Sequence, residues 1–303
     1  MRAIKIALAL IIIHCSFSIA EAQTWRELYD STNAYMQKQD YKTALKWGEK
    51  ALAQAEKEFG KLDTNYAKTI ECILKMEHLL DITKLIEYGK QDSIIRLKNN
   101  GRFSSEYAQS LISLGNFYFI LAKYHESLLC AQEASIILEN IANDISINYL
   151  EALLLEAISY FYSGNIIIAE KKLKNLINIY SKNEIDNKVR LAMTHMILGQ
   201  LYYSTGREES AYYHINTAVV IAKKANDPYP IYEATTLLRL GILEYKYQKN
   251  LNKCDTLLLK ALKIYETFYG KDHIINHIPL GKIAGFYNNI GEYHKAELCF
   301  KRI

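Results

Sequence analysis

Apolar residues recur along this chain at three- and four-residue intervals, in segments broken by short polar or small-residue gaps. Leu111, Leu114, Gly115 and Tyr118 stand at i, i+3, i+4 and i+7; after a break at Ala122-Lys123, Tyr124, Ser127, Ala131 and Ala134 form a second face. His195, Leu198, Gly199 and Tyr202 repeat the first face, Gly206-Arg207 the break, and Ala211, Ile215 and Ala218 the second face. This spacing predicts pairs of amphipathic helices. Positions within the stripe recur in register. Thr32, Leu74, Gly115, Ala157, Gly199, Gly241 and Ala284 are separated by 42, 41, 42, 42, 42 and 43 residues. A second ladder, Ala44, Leu85, Ser127, Ala169, Ala211, Cys254 and Ala296, runs at 41, 42, 42, 42, 43 and 42. Small residues at such places let two helix backbones cross closely while large neighbours fill the grooves. Neither helix buries its stripe alone, so the units are expected to stack as a solenoid.

Ahead of the repeats, residues 1–22 read differently. Arg2 and Lys5 precede the apolar run Ile6 to Ile13, and Ala20-Glu21-Ala22 supplies small residues before Gln23. That order is expected of a secretory signal peptide, with an uncleaved anchor as the alternative; the run is short for a membrane span. An exported protein, periplasmic or secreted, is therefore expected. Cys15 follows bulky His14, which argues against lipidation. Export would permit disulfides, but Cys72, Cys130, Cys254 and Cys299 show no metal or redox spacing and are expected to remain unpaired, apolar thiols.

Composition narrows the class. With 13 Gly and 3 Pro in 303 residues, an all-β chain of tight turns and a Pro/Gly-rich disordered chain are both excluded. The 37 basic residues against 33 acidic ones give no concentrated basic footprint, so no nucleic-acid partner is expected.

Gly115 with Tyr118, Tyr124 and Ala134, and Gly199 with Tyr202, Gly206, Ala211 and Ala218, resemble the small, aromatic and alanine positions of the tetratricopeptide repeat. The longer unit is similar to the kinesin light chain variety, as are Tyr66-Ala67 and Tyr107-Ala108 opening units and Tyr269-Gly270-Lys271-Asp272-His273 between units. The resemblance covers nearly all of residues 24 to 303. It implies an all-α fold, a right-handed solenoid of antiparallel helix pairs, with residues 23–303 making about seven units, the last incomplete. Unit two departs from the pattern, with Leu74 and Leu85 where small residues are expected and Asp92 where Ala is usual. Unit six carries Glu244 in place of the first-helix Tyr.

No phosphate loop, nucleophile elbow or zinc helix occurs in the chain. His273 and His277 have ligand spacing, but at a joint, where capping is the better reading. Neither enzymatic activity nor a cofactor or metal is expected. Four residues beyond the first ladder stand Met36, His78, Phe119, Phe161, Tyr203, Tyr245 and Asn288; one residue beyond it stand Asn33, Lys75, Asn116, Ile158, Gln200, Ile242 and Gly285. The resemblance implies that this part of each first helix faces a concave groove. Phe119, Phe161, Tyr203 and Tyr245, with the amides Asn33, Asn116, Gln200 and Asn288, are thus candidates for holding an extended peptide or protein segment, rings gripping side chains and amides binding backbone. The alternative for each ring is packing against the next helix. Two functions follow: an exported scaffold binding a peptide or protein in its groove, or the sensory or docking region of a longer protein whose enzymatic domain, a CHAT-type peptidase or signalling module, lies beyond residue 303. The last unit stops at Ile303, where other units have helix left to run, so the terminus reads as cut.

Overall fold

The computed structural model describes residues 23–141, 146–182, 187–225 and 231–303. The expected signal peptide lies outside them. Among the described residues the chain forms fourteen α-helices and two short 3-10 turns, without strands. It divides into two compact units, one ending at Asn148 and the other spanning Tyr149–Ile303.

The N-terminal unit holds three helix pairs: α1 (Trp25–Gln37) with α2 (Tyr41–Phe59), α3 (Thr64–Leu74) with α4 (Ile82–Asn100), and α5 (Ser105–Ile120) with α6 (Tyr124–Ile141). The C-terminal unit holds four: α7 (Ile147–Tyr162, which begins just before it) with α8 (Ile166–Lys182), α9 (Lys188–Ser204) with α10 (Glu208–Lys223), α11 (Ile231–Lys246) with α12 (Leu251–Tyr269), and α13 (His277–Asn289) with α14 (Tyr293–Phe300). Each pair matches one unit of the sequence period. The fold is all-α, a series of antiparallel helix pairs.

Local chemistry sets the boundaries. Thr24 and Glu27 form a reciprocal capping box at the start of α1, and Asp40, Asp63, Asp81 and Ser104 accept backbone N–H groups opening α2 to α5. Gly60, Gly101 and Gly270, at φ 84°, 84° and 91°, end α2, α4 and α12 in a conformation that side chains disfavour. His273 accepts from the Ile275 N–H at 3.2 Å and stacks on Tyr269, a capping role.

Most ladder positions are buried: Thr32, Ala157, Ala284, Ala44, Ser127, Ala169, Ala211 and Cys254 are fully enclosed. The helix crossings are size-matched. A Cβ on Gly199 would lie 2.5 Å from Ile215 Cγ1 and 3.1 Å from the Ile215 backbone nitrogen; one on Gly241 would lie 3.1 Å from Leu258 Cδ2. The glycine is thus on the first helix and the branched residue on the second. In the N-terminal unit the order reverses at two crossings, where Thr32 and Leu74 sit on first helices and the glycines, Gly48 and Gly89, on second helices. A Cβ there would meet the following first helix: Ile73 at 3.0 Å from Gly48, Phe117 at 3.2 Å from Gly89. Leu74 lies half-buried on the lining of a cleft between α3, α4 and α5.

The joints between pairs in the C-terminal unit are phenol to carboxylate. Tyr202 on α9 donates to Glu170 on α8 at 3.0 Å, and Tyr287 on α13 donates to Asp255 on α12 at 2.6 Å. Between them the two partners trade helices: Tyr212 on α10 donates to Glu244 on α11 at 2.7 Å, and Lys253 pairs with Glu244 at 2.6 Å. Glu244, 1% exposed, is therefore a satisfied exchange of partners rather than a defect.

Candidate functional site

In the N-terminal unit, α3, α4 and α5 line a half-open cleft of about 520 Å³. Leu74 and Asp92, two of the three departures in unit two, line it together with Lys75, Arg96, Gln109 and Asn116. Asp92 takes the place held by Ala51, Ala134, Ala218 and Ala261 in other units. Its carboxylate accepts from Arg96 Nε, one helical turn on, at 3.2 Å; Arg96 Nη2 reaches Glu71 on α3 at 2.9 Å, and Lys75 pairs with the same carboxylate at 3.2 Å. Asp92 and Arg96 are both buried, whereas Glu71 is half exposed. Burial pushes the Asp92 pKa up to about 6, outweighing the Arg96 charge and hydrogen bond that pull it down. At neutral pH this ion pair is charged at the wall of a cleft whose lining also carries Glu71, Lys75, Glu77 and Glu106 beside its amides and hydroxyls.

The C-terminal unit offers a smaller recess of about 60 Å³ between α9, α10 and α11, lined by Gln200, Tyr203, Ile215, Arg239, Ile242 and Leu243. Gln200 Nε2 lies 3.0 Å from the Tyr162 hydroxyl, which also hydrogen-bonds Arg239. Lys246 Nζ stands 5.4 Å from the centre of the Tyr203 ring. Elsewhere in this unit, His195 and His214 bring their Nδ1 atoms to 2.9 Å, so one donates and the other accepts. Burial, with His214 beside it, pushes the His195 pKa down to about 4.

The expected site residues distribute as follows. Asn116 is exposed at the rim of the larger cavity; Gln200 and Tyr203 line the smaller one. Asn33 is engaged, its amide donating to the Tyr29 carbonyl and its oxygen facing the Cys72 thiol at 3.6 Å. Phe119 is half-buried against Tyr124, the rings 5.4 Å apart. Tyr245 stands edge-on to the buried Phe286 at 5.4 Å. Asn288 is exposed near the end of α13. Phe161 departs from the half-open ring expected of a groove floor: it is 8% exposed and packs within the core of its unit, because Tyr162, exposed and 4.9 Å away, takes the outer place. Tyr118, expected to be buried between helices, is half-buried, whereas its equivalent Tyr202 is buried. Sequence reasoning did not find Arg96 or Arg239. The Gly89–Asp92 spacing on α4 was the available signal for the first; no repeat rule marks the second.

No protein-family model and no curated protein sequence matches the chain. Solved structures do resemble it in fold. Aspartyl phosphate phosphatase F from Bacillus subtilis superposes with a TM-score of 0.67 at 14% identity, over 92% of this chain and 68% of that one. Nearly identical TPR-like repeats attributed to a kinesin light chain of Podosopora anserina give 0.56 at 15% identity, over 66% and 94%. The Rap conjugation gene regulator of plasmid pLS20, solved in complex with the Phr* peptide, gives 0.52 at 14% identity, over 91% and 72%. At these identities the likeness is one of fold: the chain has the architecture of TPR-like helical repeat proteins.

Proposed function

We propose that this chain is an exported scaffold that binds a peptide or an extended protein segment against the first-helix faces of its repeats. The observation that carries the reading is the cavity of about 520 Å³ between α3, α4 and α5. It is large enough for side chains of an extended segment, and it presents a buried charge pair, which fixes orientation, beside amides that can bind backbone. A fold relative solved with a peptide bound supports the same reading. No catalytic step forms part of it.

Selection of a random peptide display library on the purified chain, followed by calorimetry of the enriched sequences, tests the proposal. Enriched peptides should bind the parent and bind a Gln109→Ala/Asn116→Ala variant at least tenfold more weakly. A library that enriches nothing above the uncoated control, or peptides indifferent to that variant, would sink it. Export has its own test: residues 1–22 fused to a phosphatase active only outside the bacterial cytoplasm should yield activity, and a silent fusion would remove that half of the reading.

A further inference from the structure

The second helices of two consecutive pairs in the N-terminal unit, α4 and α6, expose large apolar side chains on their solvent side. Ile94 and Leu97 on α4 are 57% and 41% exposed, and Leu129 and Ile136 on α6 are 53% and 56% exposed. Ile94 and Ile136 hold the same register, each nine residues beyond its ladder position, Leu85 or Ser127. At that register the preceding second helix carries Ala53 and the following one Asn178, so the repeat does not demand an exposed isoleucine there. Apolar side chains gathered on one face and left in water mark a surface that another surface covers.

The charges beside them differ in sign between the two helices. Along α6 stand Glu126, Glu133 and Glu139, with no Lys or Arg; α4 exposes Lys84, Lys90 and Lys98 against Glu87 alone. The other charges of α4, Asp92 and Arg96, are buried against each other. Lys84 pairs with Glu49 at 3.8 Å, and Glu133 with Arg102 at 3.3 Å, a bridge that ties the end of α4 to α6. Lys90, Lys98, Glu126 and Glu139 make no ion pair among the described residues. Lys90 and Lys98 lie one turn to either side of Ile94, while Glu126 precedes Leu129 by three residues and Glu139 follows Ile136 by three. A basic and apolar helix next to an acidic and apolar one is complementary to itself.

We propose that the outer faces of α4 and α6 form an isologous interface between two copies of this chain. A two-fold axis running between the two helices and along them lays α4 of each copy over α6 of the other. Ile94 then meets Ile136 at matching register, Lys98 stands beside Glu139, and Lys90 falls between Glu126 and Glu133. None of these side chains lines the cleft assigned to peptide binding, so the dimer and the scaffold reading stand or fall separately.

Sedimentation equilibrium of the full chain up to about 0.1 mM, where even a micromolar Kd is saturated, should give twice the chain mass. Reversing the charge of one helix sets like against like at both contacts. Lys90→Glu/Lys98→Glu and Glu126→Lys/Glu139→Lys should therefore each weaken self-association at least tenfold while keeping the circular dichroism of the parent, since exposed side chains add little to folding. Mixed in equal amounts, the two variants juxtapose reversed α4 with reversed α6 and native α4 with native α6. The dimer should return, and native mass spectrometry should find one copy of each variant in it. Ile94→Glu/Ile136→Glu, which removes the apolar contact, should be monomeric and carries the test if a charge variant does not fold. A parent of single-chain mass at every concentration would leave the face to a different protein and overturn the proposal. So would Ile94→Glu/Ile136→Glu or charge variants that associate as the parent does, or folded charge variants whose mixture stays monomeric.

Discussion

Two crossings in each unit solve the same packing problem with opposite choices. In the C-terminal unit the glycines Gly199 and Gly241 sit on first helices and receive Ile215 and Leu258 from their own partners, so each pair closes on itself. At two crossings of the N-terminal unit the glycines, Gly48 and Gly89, are on second helices and meet Ile73 and Phe117 of the following pair most closely, whereas Gly115 on α5 keeps the first-helix place of Gly199 and Gly241. The cavity of about 520 Å³ lies where Leu74 occupies the crossing and Asp92 replaces the usual alanine. The C-terminal unit has a cleft of similar size, about 480 Å³ beside Glu233, Lys260 and Phe268, but there no departure from the repeat lines it, whereas Leu74 and Asp92 give the N-terminal cleft its buried charge pair without breaking the register.

The sharpest way to break this comparison is to add one methyl group to each design. Gly199→Ala drives a Cβ to 2.5 Å from Ile215 and to 3.1 and 3.2 Å from backbone atoms of α10, which cannot step aside. Overpacking against backbone should cost about 3 kcal/mol. Gly89→Ala meets only side-chain atoms, the nearest at 3.2 Å on Phe117. There the strain should be nearly offset by the gain of about 1 kcal/mol from alanine in a helix interior. Urea denaturation of both variants measures the difference; equal losses would show that the two glycines play the same part.

How much of this was legible follows from what a period can encode. All fourteen helices and their pairing lie in the two ladders, because burial of a stripe demands 3.6-residue spacing and stacking demands a constant unit. Volume exchange was legible only in part. Gly89 makes room for Phe117 and Leu114, yet those residues lie on the following first helix, 25 or more residues on. Glu244 stands out, but its partner Tyr212 is 32 residues away and chosen by stacking. The site fared worse. Phe161 has the spacing of a groove ring and lies in the core, while its neighbour Tyr162 takes the outer place and ties its hydroxyl to Gln200. Arg239 gives no periodic signal, since nothing in the stripe requires it.

Acid should separate the units in the next largest measure. His195 titrates near 4 in the fold against 6.5 when free, so between those values the unfolded chain binds a proton that the folded chain refuses. Stability of the C-terminal unit should therefore fall as pH drops from 6.5 towards 4, by about 3 kcal/mol. Asp92 has the opposite sign. Its folded pKa of about 6 lies above the free value of 3.8, so the folded chain takes up the proton first. Lowering pH through 6 towards 4 should then favour the N-terminal unit by about 2 kcal/mol. Hydrogen exchange followed separately in α9 and α4 reads both. Because burial also lowers the pKa of His214, the double change His195→Phe/His214→Phe should remove the acid sensitivity of α9 and α10; retention of that sensitivity would mean that another group carries it.

The smallest effect is the most informative about purpose. Asp92→Ala restores the residue found at this register in Ala51, Ala134, Ala218 and Ala261, but strands one edge of the buried Arg96 guanidinium while Glu71 still holds the other. A loss of about 2 kcal/mol is expected, less than for a buried charge left without any partner. Replacing both, Asp92→Ala with Arg96→Met, removes the stranded charge and fills its space with a flexible apolar chain. The double variant should lie within about 1 kcal/mol of the parent, because a buried ion pair contributes little net stability over an apolar pair of similar volume. If the pair serves the chamber and not the fold, that stable double variant should still lose the selected peptides. Should it instead unfold several kcal/mol more easily than the parent, Asp92 and Arg96 are structural cement for α3 and α4, and the departure of unit two from the repeat loses its functional meaning.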